Sequence, residues 1–373
     1  MRHTTINQPR SFLITCLFIA ITGCILGLQL SVSSAAEAAP TPTPAIHSDY
    51  WPTEEWRTSS PEDQQMDSQK LTEMLDTVKE KNINLHSLLV IRHGTIVSET
   101  YFPNHPSDEK HDLFSVTKSV VSTLVGIAID QGYIDSLDHP VLDYFPDKTF
   151  ENIDDRKKAM TLRDLMTMQT GLAWDESMIF QMNRTKDWVS YVLSLPMIFE
   201  PGTHFNYCTG CSHVVSAIIQ KATGMSTREF AEKVLFQPLG ITNFNWRLDP
   251  EKIPVGGTDL QMSARDMAKL GYLFLHKGEW DGQTIVAPKW VEAATTTQVK
   301  TDSGLGYGLM WWIEPSLKAY TALGYNGQTV FIIPDLDLIV VTTAATIDHG
   351  HNDIFALIEK YIVPAVQDAP SDF

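Results

Sequence analysis

Ser115-Val116-Thr117-Lys118 places a hydroxyl and an amine one helical turn apart at the head of a long apolar run. On a helix, such positions share a face with Cβ atoms about 5 to 6 Å apart, so Lys118 can take the proton of Ser115 as it attacks a carbonyl carbon. The spacing alone is common, and a second copy stands at Ser107-Asp108-Glu109-Lys110. That copy follows Pro106 in a polar stretch without apolar periodicity and reads as a solvated turn. Beyond Ser115, by contrast, Val120, Val121, Leu124, Val125, Ile127, Ala128 and Ile129 predict a buried helix ending at Gln131-Gly132. A lysine with a reference pKa near 10.4 is neutral at pH 7 only if its site disfavours the charge by roughly 4.6 kcal/mol. Desolvation and the positive end of a helix both push that way. The same helix start offers the Ser115 N–H to a developing oxyanion, a donor typically worth about 3 to 4 kcal/mol in the transition state.

Tyr207 follows the turn-rich run from Glu200 to Asn206 and precedes a second apolar helix carrying Val214, Val215, Ala217, Ile218 and Ile219. A phenol at that helix start, with a reference pKa near 10, can pass a proton between the hydroxyl, the amine and a leaving group. A packed aromatic with a satisfied hydroxyl is the structural alternative. His349-Gly350-His351-Asn352-Asp353 spells a zinc-hydrolase pattern, but no further His/Asp cluster at ligand spacing completes a shell, so it reads as a loop capping the last helix. Cys208 and Cys211 fit either a disulfide staple or free thiols, and no βαβ pattern surrounds them to suggest a redox motif. The chain has no G-x-S-x-G elbow, which argues against an α/β-hydrolase. No metal or organic cofactor is expected.

These groups need elements to hold them. Leu71, Met74, Leu75 and Val78 mark a helix within Asp67 to Lys81. Leu88 to Ile91, the His93-Gly94 turn and Ile96 to Phe102 make a hairpin. Near the other end, Ala319 to Leu323, Thr329 to Ile333 and Leu338 to Thr343 read as strands, followed by an amphipathic helix from Ile354 to Val363. The stretch between is mostly helical and loop-like. The expected class is therefore α+β: an antiparallel sheet built from both chain ends, flanked by helices, with a mainly helical lobe inserted at about 138–300. A cleft between sheet and lobe is the natural place for Ser115.

Arg2 and Arg10 precede an apolar run from Phe12 to Leu30, and small residues follow, so residues 1–38 read as an export signal. Ile21-Thr22-Gly23-Cys24 also allows a lipoprotein cleavage box, and the uncleaved run could span a bilayer, which makes the N-terminus the one place for a membrane tether. The Pro-rich segment in 39–60 reads as a tether, leaving 61–373 as one domain. The expected location is therefore the periplasm or the exterior. A formal net charge of −17 makes nucleic acid and acidic surfaces poor partners, so the partner expected is a small-molecule substrate.

In order and position, Ser115-x-x-Lys118, Tyr207-Cys208-Thr209 and Gly324-Tyr325-Asn326-Gly327-Gln328 resemble the three signatures of the serine β-lactamase-related hydrolases. That superfamily includes class C β-lactamases, D-alanyl-D-alanine carboxypeptidases, esterases and 6-aminohexanoate-dimer hydrolases. The likeness extends through the connecting segments Leu162 to Leu172, Thr223 to Thr242, Gly257 to Trp290 and Leu305 to Trp312. It implies Ser115 as acylated nucleophile, Lys118 as its base, Tyr207 as proton relay, and the N–H groups of Ser115 and Gln328 as the oxyanion hole. Thr209, Tyr325, Asn326 and Gly327 would then meet the substrate. Two departures bear on specificity. Tyr325 stands where the third signature usually has a lysine that holds a substrate carboxylate, and Thr209 where the second usually has an asparagine. The resemblance thus points to hydrolysis of carboxylic esters or small linear amides, in the manner of the esterase and 6-aminohexanoate-dimer hydrolase branches. The alternatives are a β-lactamase or D-amino-acid peptidase, and a non-catalytic binder of muropeptides or of a partner.

Overall fold

The computed structural model describes residues 50–346, 351–371 and 373. The expected export signal, the start of the tether and His349 lie outside them. Thirteen strands occur among these residues: β1 Leu85–Arg92, β2 Thr95–Tyr101, β3 His111–Asp112, β4 Asn245–Trp246, β5 Leu260–Met262, β6 Glu279–Trp280, β7 Gln283–Thr284, β8 Val299–Lys300, β9 Gly306–Tyr307, β10 Trp312–Glu314, β11 Ala319–Gly324, β12 Gln328–Ile333 and β13 Leu338–Ala344. Eight of them form one antiparallel sheet in the order β2-β1-β13-β12-β11-β10-β9-β8. The last strand in sequence lies between the first and the rest, with Val90 opposite Val340. The α+β sheet drawn from both chain ends is therefore what the chain forms.

Alternation along the strands divides the apolar side chains between two cores. Leu89, Ile91, Val330, Ile332, Ile339 and Val341 face the larger core, and Leu88, Val90, Phe331, Ile333, Leu338 and Val340 the smaller. The smaller is closed by helix α1, Ser68–Glu80, whose Leu71, Met74 and Val78 are buried, and by Ile354, Leu357, Ile358 and Ile362 near the C-terminus. Asp67 starts α1 by accepting from the N–H groups of Gln69 and Lys70 at 2.9 and 3.3 Å, as an N-cap does.

The larger core is built around helix α2, Val116–Asp130, which is buried on every side from Val116 to Ala128. This is why its sequence is apolar throughout rather than on one stripe. Against it lies α3, Thr209–Thr223, while α4, Ala264–Leu275, packs on β12 and β13 within the same core. The packed chain begins ahead of residue 61. Trp56 is buried, Trp51 meets the rings of Tyr272 and Trp280, and Thr53 accepts from Lys269 and Trp280. Among the described residues no helix is long and apolar enough to cross a membrane.

Candidate active site

Ser115 occupies the position before the first residue of α2. Serine there commonly caps the helix with its side chain. Here it has helical φ and ψ of −72° and −7° and makes no such bond. Carbonyls of Leu113, Phe114 and Ser115 take the N–H groups of Val116, Thr117 and Lys118 instead. The hydroxyl is thereby available to Lys118. The residue before it, Phe114, is forced to a φ of 45°, a conformation that costs a non-glycine residue of order 1 to 3 kcal/mol. Asp112 holds it there by accepting the Phe114 N–H at 2.8 Å.

Lys118 is buried, and its Nζ has three partners: Ser115 Oγ at 2.8 Å, Thr209 Oγ1 at 3.0 Å and the Gly257 carbonyl at 2.9 Å. Burial lowers its pKa to about 7, with the Glu176 carboxylate pulling the other way. Two partners fix the direction of the third contact. The Gly257 carbonyl can only accept. The Thr209 hydroxyl gives its proton to Glu176 Oε2 at 2.7 Å, so toward Lys118 it too must accept. A neutral amine has two protons and one lone pair, and with both protons so committed the lone pair faces Ser115 Oγ. The arrangement can therefore remove the proton from Ser115.

Glu176 gives the sequence reading nothing to find, since no motif surrounds it. The fold brings it to the start of α3, where its Oε1 accepts from the Thr209 N–H at 2.8 Å and from Trp174 Nε1 at 2.6 Å. Gly257 opens one of the segments that carry the resemblance, but nothing in the sequence assigns it a role at the amine. A Cβ there would lie 2.7 Å from Thr209 Cγ2 and 3.4 Å from Lys118 Nζ, so any side chain would displace the amine's partners.

Tyr207 comes just before α3, with its ring centroid 4.9 Å from Lys118 Nζ and 5.8 Å from the Trp312 ring stacked against it. Burial pushes its phenol well above the usual range, a hydrogen bond with Ser115 pulls it back, and Glu176 raises it further. The phenol is thus neutral beside the hydroxyl. Directly after it, Cys208 and Cys211 form a disulfide across the first turn of α3. Of the two readings left open by the sequence, the staple is the one formed.

The third segment closes the site. Gly324, at the end of β11, sits so close to the chain leading into Ser115 that a Cβ would stand 2.2 Å from the Leu113 carbonyl. Tyr325 is exposed and meets Phe114 edge to face. Asn326 has a φ of 64°, and its carbonyl accepts from the Thr346 N–H and Oγ1, each at 3.0 Å. The Gly327 carbonyl accepts from Thr342 Oγ1 at 2.8 Å. Gln328 opens β12 opposite Gly324, its side-chain amide committed to the Ala344 carbonyl at 2.6 Å. His351 bonds the Gly324 carbonyl at 2.9 Å. The second Ser-x-x-Lys copy lies elsewhere, with Ser107 in an exposed turn.

Ser115, Tyr207, Thr209 and Tyr325 share a cleft of about 990 Å³ with Glu176, Ile179, Phe180, Leu305, Trp312, Glu314, Leu323, His351 and Phe355 among its walls. Asn326 and Gly327 form the turn behind Tyr325 and are not among those walls. Among the described residues the lining is largely apolar, carries two glutamates and includes neither Lys nor Arg.

A model of the beta-lactamase family matches residues 68–353. The 6-aminohexanoate-dimer hydrolase of Paenarthrobacter ureafaciens is 25% identical over 283 residues, which is 68% of this chain and 71% of that protein. An octameric penicillin-binding protein homologue from Pyrococcus abyssi superposes with a TM-score of 0.63 at 20% identity, covering 80% of this chain and 77% of its own. A family VIII carboxylesterase superposes with a TM-score of 0.65 at 16% identity, covering 83% of this chain and 99% of its own. At such identities the two superpositions establish the fold alone.

Proposed function

We propose, because this chain belongs to the beta-lactamase family, that it is a serine hydrolase of uncharged carboxylic esters or small linear amides, working through an acyl-enzyme on Ser115. The observation that carries the reading is Lys118 Nζ at 2.8 Å from Ser115 Oγ, with its other two contacts both acceptors. In the first half-reaction Ser115 Oγ bonds the carbonyl carbon while its proton passes to Lys118. The N–H groups of Ser115 and Gln328 receive the oxyanion. The C–O or C–N bond then breaks, and the departing alcohol or amine takes up a proton relayed by Tyr207 from Lys118. In the second half-reaction water gives a proton back along the same route, attacks the acyl carbon and releases the acid, restoring the Ser115 hydroxyl. Residues 1–38 are proposed to export the protein, from their charge and apolarity alone.

Substrate class is inferred from the walls of the cleft. A β-lactamase or D-alanyl-D-alanine carboxypeptidase needs a cation for the substrate carboxylate, and Tyr325, Glu176 and Glu314 supply none. An apolar acyl chain or alcohol fits the aromatic walls. Intact-mass measurement after a fluorophosphonate tests the mechanism: one adduct is expected on the wild type and none on Ser115→Ala. Equal labelling of both would overturn the nucleophile, and a wild type that never labels would favour a binder that kept the fold. Hydrolysis of p-nitrophenyl butyrate is expected to exceed that of nitrocefin, and the opposite order would reverse the choice of substrate.

A further inference from the structure

Three histidines converge away from the cleft walls: His86 on β1, His105 in the loop after β2, and His111 on β3. One ring nitrogen of each lies within 4.8 Å of the other two. His86 Nδ1 faces His111 Nδ1 at 3.4 Å. The outer nitrogens of the other pair belong to Glu109, whose Oε2 is 2.8 Å from His105 Nδ1 and 3.6 Å from His111 Nε2.

We propose that His86, His105 and His111 bind one divalent transition-metal ion of the zinc class, with Glu109 orienting two of the rings from outside. The chemistry of the donors selects the class: imidazole nitrogens suit zinc, copper and nickel, and do not suit calcium or magnesium. Ligand nitrogens about 2.0 to 2.1 Å from a tetrahedral ion stand about 3.4 Å from one another. The His86–His111 separation of 3.4 Å already matches this. A carboxylate on the outer nitrogen of a ligating imidazole is the usual way such a ring is held in the right tautomer. With Glu109 bonded to Nδ1 of His105 and one small shift short of Nε2 of His111, the nitrogens left for the ion are His105 Nε2, His111 Nδ1 and His86 Nδ1. One adjustment is needed. His86 and His105 stack face to face at 3.7 Å and 12°, and the ion would splay them until both planes contain it.

Binding would tie the loop after β2 to strands β1 and β3. The β3 end matters, since the chain runs from His111 through Asp112, Leu113 and Phe114 directly into Ser115. The ion would thus clamp the segment that presents the nucleophile without touching substrate.

The test uses the whole chain stripped with a chelator and titrated with Co2+, then with Zn2+ under calorimetry. Expected are saturation at one equivalent, a visible d–d band typical of a low-coordinate nitrogen site, and a Tm raised by Zn2+ but not by Ca2+. His105→Ala, in a loop and so unthreatening to the fold, should weaken binding by about 100-fold, and Glu109→Gln by about 10-fold. Ser115→Ala should bind as the wild type does, which separates this site from the hydrolytic one. No saturation at one equivalent, or His105→Ala binding Zn2+ as tightly as the wild type, would overturn the proposal.

Discussion

At the scale of single residues, the site turns on which atom gives a proton to which. Glu176 never needs to touch substrate to matter, because it takes the Thr209 proton and so obliges Lys118 to donate there. In Glu176→Gln the amide can donate to Thr209 instead, and the hydroxyl is then free to point its own proton at the amine's lone pair. A loss of about 10- to 100-fold in kcat is expected, read from p-nitrophenyl butyrate turnover. The same variant has a pH signature. Lys118, held at about 7, must be neutral to act, so wild-type kcat/KM should rise as pH climbs through about 7. Glu176 raises that pKa, so its neutral replacement should move the rise to lower pH. A rise that stays in place would remove Glu176 from the electrostatics of the amine. The part Glu176 plays is not legible in sequence: Ser115 and Lys118 announce themselves by their spacing ahead of an apolar helix, whereas Glu176 and Gly257 reach Lys118 only through the fold.

Among elements, helix starts do most of the positioning. Ser115 precedes α2 and Tyr207 precedes α3, and both helices are legible because burial makes their sequences apolar. The short strands β3 to β10 left no comparable trace, since two or three residues are too few for an alternating pattern. The disulfide across the first turn of α3 lies next to Tyr207 and Thr209. Closing so short a loop constrains the unfolded chain by only about 2 kcal/mol. The double variant Cys208→Ser, Cys211→Ser should therefore remain folded with a lowered Tm, measured by calorimetry under oxidising conditions. A thiol reductant should lower the wild-type Tm toward the same value and leave the variant unmoved.

For the molecule as a whole, the proposed function makes charge the selector at the cleft. With a net charge of −17 and two glutamates but neither Lys nor Arg on the described walls, the protein would repel an anionic substrate at long range and sets no lysine or arginine against it at short range. A p-nitrophenyl ester with a terminal carboxylate should show kcat/KM at least about 10-fold below its neutral analogue of equal length, with the gap narrowing as salt is added. Tyr325→Lys should narrow it too, because Tyr325 stands at the edge of the cleft against Phe114. Equal rates for both esters would mean that the walls do not select by charge.

The pairing of Leu85 to Arg92 with Leu338 to Ala344 has a further consequence for how the protein is made. Strand β13 goes into the middle of the sheet, not onto its edge, yet among the described strands it is made last. Until it arrives, the β1–β2 hairpin and the block from β8 to β12 each present an open row of backbone donors and acceptors, and α4 lacks part of the sheet it packs on. A chain stopped short of residue 338 would thus be two sticky half-sheets rather than a smaller version of the same fold, prone to join its neighbours instead of itself.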